Sequence, residues 1–272
     1  MSNYSKTSIS YVNPENALLW CNFTNQNADV YTYSGQFVFT KCWATNLGKY
    51  PGAPKTVQFG DGGYSSLYNT VGAMVTTSAN VPKQIFTRNG IIFDGACWVN
   101  TGLIDPFEYN TSFTLFVLYY TKPTSLQILI SNSNFSATPA RGIQMYLNTD
   151  LTIGVTIVNT IAAPDNFIFK SFPATTGIVS ACATYSGSSD QSGVLGYING
   201  SSVTNDIVVA KNTLTSTIKS GIPFYLGARF DGSTLTYPLT GNIYFAAIFP
   251  FALTSQQVQY LDKIARINFN KK

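Results

Sequence analysis

The chain has 272 residues, a length that a single all-β sandwich can reach and that suffices to bury a core without disulfide staples. Aromatics make up 14% of residues and charged side chains only 10%, a balance that favours pleated sheet over helix because Tyr, Phe, Thr and Val pack well on a half-buried sheet. The net charge of +4 comes from scattered Lys and Arg, with Lys271-Lys272 the one short basic run, so a nucleic-acid surface, which needs a stripe of cations, is set aside.

Residues 1–16 are polar and end beside Asn13-Pro14, the pattern of an arm outside the core. Leu18-Leu-Trp-Cys-Asn-Phe23 reads as a first strand. The least periodic stretch, 44–83, contains Lys49-Tyr-Pro-Gly-Ala-Pro54 and Gly60-Asp-Gly-Gly63; a structureless loop of that length is uncommon, so short strands within an elaborated insertion are predicted. After an Asn89-Gly90 turn signal comes Ile91-Ile-Phe-Asp-Gly95. Phe113 to Tyr120 is apolar on both alternating faces, as a central strand covered on both sides would be. Ile143 to Leu147 and Leu151 to Ile157 alternate, which predicts one buried and one polar face for each, joined in a hairpin by Asn148-Thr-Asp150. Val179 to Tyr185 is followed by a Gly/Ser-rich link, read as flexible, and by Val194 to Ile198. Asn199-Gly200 then signals a type I′ turn, whose two central residues both need positive φ. Phe224 to Ala228 and Asn242 to Phe249 close the strand series.

A single helix is predicted over 255–267. Thr254 and Gln257 have capping-box spacing, Val258, Leu261, Ile264 and Ala265 recur on one face, and Lys263 and Arg266 suit the negative end of the helix dipole. Short strands punctuated by Gly, Asn and Asp turns predict one antiparallel β-sandwich over 17–267, with 268–272 a tail.

The cysteines, Cys21, Cys42, Cys97 and Cys182, have no C-x-x-C spacing and the chain has no histidine, so a zinc site is not expected. They read as small buried hydrophobes; spacing leaves a Cys21–Cys42 bridge open. Gly, Pro, Asn or Thr breaks every apolar run before membrane length, and no apolar signal segment follows Met1. The expectation is synthesis in a cytosol, whereas the Asn/Ser/Thr-rich character suits the outside of a cell. A virion surface component, made in a host cytosol and exported in a particle, reconciles the two; an extracellular protein is the alternative.

Several motifs together resemble the laminin-G-like branch of the concanavalin A-like lectin/glucanase superfamily. Ile91-Ile-Phe-Asp-Gly95 with Trp98-Val-Asn-Thr-Gly102 is similar to the family's opening "F-D-G … V". Val179-Ser-Ala-Cys-Ala-Thr-Tyr-Ser-Gly187 and Gly196-Tyr-Ile-Asn-Gly-Ser-Ser-Val203 resemble its central hairpin. Leu226-Gly-Ala-Arg, Leu239-Thr-Gly-Asn-Ile243 and Ala252-Leu-Thr254 follow in the family's order. The likeness covers about 85–265; the departures are the stretch between Phe23 and Ile91 and a missing His before the Val179 strand. It implies a jelly-roll sandwich in which Asp94-Gly95, Asp231-Gly232 and Gly241 are scaffold.

Without histidine, the familiar His-dependent hydrolases are excluded. The superfamily's glycosidases carry paired acids on one strand, E-x-D-x-E or E-x-D-x-x-E; here the only glutamates are Glu15 and Glu108, the latter read as solvated in a Pro-containing loop, although an Asp pair from separate strands stays open. The resemblance, without that acid pair, implies a non-enzymatic, lectin-like module able to recognise host glycans, while the low charge, aromatic wealth and polar N-terminal arm lead to the expectation that it packs with other structural proteins or itself. The alternative is a carbohydrate-binding or glycoside-hydrolase-related domain of a secreted cellular protein. Loop aromatics available for stacking are Trp43, Tyr64, Tyr68, Trp98, Tyr109 and Tyr237, and the chosen binding set is Trp98, Tyr109, Asp231 and Tyr237. No cofactor is expected. Some relatives hold calcium with loop Asp residues, and Asp61, Asp105 and Asp231 lie in loops of that kind, without EF-hand spacing.

Overall fold

The computed structural model describes residues 12, 16–22, 30–33, 36–39, 57–59, 73–75, 90–95, 98–121, 123–161, 166–203, 207–208, 213–232 and 234–270. In chain order the strands are β1 (Leu19–Asn22), β2 (Val30–Tyr33), β3 (Gln36–Phe39), β4 (Val57–Phe59), β5 (Ala73–Val75), β6 (Ile91–Asp94) and β7 (Val99–Ile104). Next come β8 (Phe113–Thr121), β9 (Gln127–Ser131), β10 (Gly142–Leu147), β11 (Thr152–Thr160), β12 (Asn166–Pro173) and β13 (Ile178–Tyr185). The last are β14 (Val194–Ile198), β15 (Ser201–Val203), β16 (Ile207–Val208), β17 (Pro223–Leu226), β18 (Arg229–Asp231), β19 (Thr234–Thr236) and β20 (Thr240–Phe249), followed by helix α1 (Ser255–Asn270).

These strands form a two-sheet sandwich. The smaller sheet has the order β1-β20-β8-β13-β14-β15, with β6 also on β20; the larger runs β16-β12-β11-β10-β9-β17-β7-β4-β5-β3-β2. Pairing is antiparallel except between β4 and β5, and β18–β19 is a separate hairpin. Within 44–83 the described residues are β4 and β5, which continue the larger sheet beyond β7.

Alternation along β8 explains why it is buried throughout most of its length. Phe113, Leu115, Val117 and Tyr119 face the inter-sheet core with Met145, Ile157, Phe224 and Ile243. Phe116 and Leu118 face the other way, into a second cluster with Trp20, Val258, Leu261 and Ala265. The helix thus covers the outer face of the smaller sheet, and each fully buried Leu, Ile or Phe there contributes about 1.5–3 kcal/mol. Both halves of the capping box form: Thr254 N donates to Gln257 Oε1 (2.8 Å) and Gln257 N to Thr254 Oγ1 (3.4 Å). The helix runs past residue 267 to Asn270. Arg266 bonds Asp262 and reaches Asn199 Oδ1 at 2.7 Å, so it ties the helix to the Asn199-Gly200 turn as well as sitting near the helix end.

That turn has φ of 53° and 76° at its two residues, as a type I′ hairpin requires. Gly241, at the start of β20, is held by sterics: a Cβ there would lie 2.3 Å from the Tyr120 carbonyl oxygen. The link after β13 is ordered by Asp190, whose Oδ1 accepts from Ser192 N at 2.7 Å, and by Ser189 N donating to Tyr185 Oη at 2.8 Å. Cys21 and Cys182 are free and buried, as small hydrophobes would be; Cys42 and Cys97 lie outside the described residues. No described helix is long and apolar enough to cross a membrane.

The expectation of a polar outer face on β10 and β11 is corrected. Both strands are buried on both faces along most of their length, including Gln144, Tyr146 and Thr156. What covers these side chains forms the candidate site.

Candidate binding site

Ile143, Met145 and Leu147 point into the core, so Gln144 and Tyr146 occupy the outer face of the larger sheet. Residues directly opposite one another share a face, and the register lays out a cross-strand row there: Phe169, Thr156, Gln144, Ser131 and Tyr225. Beside this row the Tyr146 ring lies flat over Gly154, where a Cβ would meet it at 2.3 Å, and it tilts against Phe169 at 6.5 Å. Burial pushes the Tyr146 phenol up, partly offset by a hydrogen bond with Thr156. Burial likewise pushes up the phenol of Tyr225. Both phenols are neutral near pH 7.

The β18–β19 hairpin comes down onto this face. After β17 the chain bends at Gly227 (φ 78°), and Arg229 extends to Gln144, with Nη1 3.4 Å from Oε1. Arg229 Nε and Nη2 donate to Asp231 Oδ2 at 2.9 and 2.8 Å. Thr236 Oγ1 donates to the same oxygen at 3.0 Å, and the backbone N–H of Phe135 donates to Asp231 Oδ1 at 2.8 Å. The guanidinium carbon also lies 4.4 Å from the centre of the Phe135 ring and 4.8 Å from that of Tyr237. Arg229 is 8% exposed, with its edges taken by carboxylate and amide and its faces set against two rings.

Tyr237 is the exposed member of the cluster, at 44%. Its φ is +50°, an outlier for a bulky residue and a cost of about 1–3 kcal/mol that the surroundings must offset. Its carbonyl accepts from Ile128 N at 3.0 Å, and Arg229 stands against its ring. Two contacts, one on its backbone and one on its ring, therefore hold a solvent-facing aromatic.

The other expected site residues are placed differently. Trp98 is 5% exposed, edge-on to Tyr225 at 5.4 Å and grouped with Ala228, so its indole belongs to packing on the sheet's outer side. Tyr109 packs partly buried against the main core, and its carbonyl accepts from Tyr185 Oη at 2.5 Å. Asp231 joins Tyr237 in the cluster, but its oxygens serve protein donors. Trp43, Tyr64, Tyr68, Asp61 and Glu15 lie outside the described residues. Sequence reading missed Arg229, Phe135 and Gln144. Arg229 and Asp231 stand two apart on a strand and share a face, a legible pairing signal within a motif read as scaffold.

Asp105 and Asp231 are engaged through both carboxylate oxygens, and Glu108 through one. Asp105 (φ +40°) accepts from Ser220 N at 2.9 Å, Gly221 N at 2.6 Å and Asn132 Nδ2 at 3.2 Å. Glu108, about a third exposed, pairs through Oε1 with Lys219 at 3.0 Å, while its Oε2 is buried without a hydrogen-bond partner. Burial pushes the Glu108 carboxyl up, but hydrogen bonds from Lys219 and Thr217 outweigh it and hold the group below its ordinary value. A calcium ligand must turn carboxylate oxygens to the ion, and those of Asp105 and Asp231 face N–H and O–H donors instead. Among the described residues no group of three or more His, Cys, Asp or Glu is placed to hold a metal.

No family model matches the chain, and no curated protein matches it. Solved structures do. The botulinum neurotoxin serotype D binding domain aligns over 94% of this chain and 52% of its own, with 11% identity and a TM-score of 0.50. That likeness is one of fold. The CBM40 module of Ruminococcus gnavus IT-sialidase bound to α2,3-sialyllactose aligns over 56% of this chain and 82% of its own, with 17% identity and a TM-score of 0.44. The NanB sialidase of Streptococcus pneumoniae aligns over 55% of this chain at 21% identity and a TM-score of 0.45, and the match spans only 24% of the sialidase.

Proposed function

We propose that this chain is a non-catalytic, lectin-like module of the laminin-G-like kind, carried on a virion surface, where it packs with other structural proteins and binds host glycans. The observation that supports the binding role is Tyr237: a half-exposed ring on a strained backbone, backed by a buried, charge-neutralised arginine. Strain of this sort persists where the surroundings over-determine it and clusters at functional sites. The commitment of Asp105, Glu108 and Asp231 to protein partners supports a role without catalysis. Low charge and abundant aromatics support packing in an assembly.

A glycan array probed with the labelled full chain tests the reading, alongside chromatography of the same oligosaccharides after long incubation. Selective retention without new reducing ends is expected. Hydrolysis that survives repurification and disappears with a single Asp substitution would overturn the non-catalytic half, and an array with no selective signal would overturn the binding half. Solution mass by light scattering tests self-assembly.

A further inference from the structure

We propose that the exposed face of Tyr237 takes an uncharged pyranose ring and discriminates against anionic sugars. This rests on the binding reading above and names the class of ligand.

Tyr237 offers one aromatic face; the hairpin that carries Arg229 and the loop that follows β9, whose Phe135 ring meets Arg229, hold the exposed residues Thr234, Ser136 and Thr138, with the Ser136 hydroxyl donating to Asn134 Oδ1 at 2.9 Å. The loop and hairpin are held together, since Phe135 N donates to Asp231 and Ser136 Oγ lies 3.3 Å from where a Gly232 Cβ would stand. A single exposed ring, with uncharged residues on the hairpin and loop that meet at Arg229, matches a pyranose, which has an apolar C–H face and a polar edge. A stable protein partner needs about 800 Å² on each side with a contiguous apolar centre.

Charge decides the class. Arg229 is spent on Asp231 and Gln144 and is closed off by Phe135 and Tyr237. Asp231 in turn accepts from Arg229, Thr236 and Phe135. Three of the five guanidinium N–H groups are engaged, the pair is neutral as a whole, and at 8% exposure Arg229 is closed to a ligand carboxylate. Arg141, at the far end of the same loop, has a buried Nε with no hydrogen-bond partner and is the cation that an anionic sugar would have to reach. A carboxylate brought to Tyr237 would lose water and gain no partner from Arg229. The ring is also fixed before any ligand arrives, which removes an ordering cost from binding.

The test is calorimetric titration of the full chain with lactose, maltotriose and chitotriose as neutral probes and 3′-sialyllactose as the anionic one. At least one neutral probe should bind and sialyllactose should bind no better than lactose. Tyr237→Ala should weaken the neutral probe by about tenfold or more, while Tyr237→Phe stays within about threefold because the ring face remains. Arg141→Gln should leave neutral binding unchanged. Melting curves confirm that each variant is folded. Sialyllactose binding that exceeds every neutral probe, survives Tyr237→Ala and is lost in Arg141→Gln would overturn the inference and leave the glycan-binding reading standing. Absence of binding by all four probes would overturn the inference, whereas a glycan array positive for other sugars would still uphold the broader reading.

Discussion

Trp98 and Tyr237 are both aromatics beside turn residues, yet one is enclosed by Tyr225 and Ala228 and the other stands half in solvent. Trp98→Ala should therefore destabilise the fold by about 3–5 kcal/mol, read from urea denaturation, since it leaves a cavity among fixed neighbours. Tyr237→Ala should change stability by no more than about 1 kcal/mol. Equal losses for the two variants would place the Tyr237 ring in the core. The Arg229–Asp231 pair makes a sharper case, because both side chains are about nine-tenths buried. Asp231→Asn removes the carboxylate charge opposite a buried guanidinium and should cost about 3–5 kcal/mol, whereas an exposed pair would cost under about 1. Sequence spacing could suggest that Arg229 meets Asp231, but nothing local indicates that Phe135 and Tyr237 enclose them.

At the scale of elements, the legible parts are those whose cause is local. The Asn199-Gly200 hairpin, the β10–β11 link and the start of the helix each follow from residues within a turn of one another. In the β10–β11 link Asn148 Nδ2 bonds Thr152 Oγ1 at 2.9 Å and Leu151 takes φ 61°. Thr254→Ala should cost about 1 kcal/mol through loss of the reciprocal cap, with a matching fall in melting temperature; a change near zero would mean that packing alone fixes the helix start. The outer faces of β10 and β11 were misread for the complementary reason. Their alternation is real, but Gln144 is covered by Arg229, which lies 85 residues away in the chain. Alternation in sequence identifies which residues share a face and is silent about what a distant hairpin lays over it.

For the whole molecule, the titration pattern predicts a stability plateau. The chain has no histidine, so no side chain with an ordinary pKa titrates between about pH 5 and 8. Asp150 and Asp190 are held below their usual range by hydrogen bonds from Thr152 and Ser192, and Glu108 by Lys219 and Thr217 against the upward push of burial. A depressed carboxyl stabilises above its unfolded pKa, and that contribution is lost as pH falls below about 4. Burial raises the Cys182 thiol and the Tyr119 phenol, so their contribution is present below the unfolded values and is lost as pH climbs past about 8.5–10. Melting temperature should be flat from about pH 5 to 8 and fall on either side; a midpoint change near 6.5 would contradict this. The sandwich itself was readable from repeated turn-bounded strands, whereas the proposed binding patch depends on β9, β10, β17 and the β18–β19 hairpin converging from separate parts of the chain. The central claim, that this scaffold presents Tyr237 for glycan recognition, is tested most directly by measuring one array-identified glycan against wild type and Tyr237→Ala, with melting temperatures taken on the same samples. The account predicts an affinity loss of about tenfold or more at an essentially unchanged melting temperature; unchanged affinity in a folded variant would contradict it.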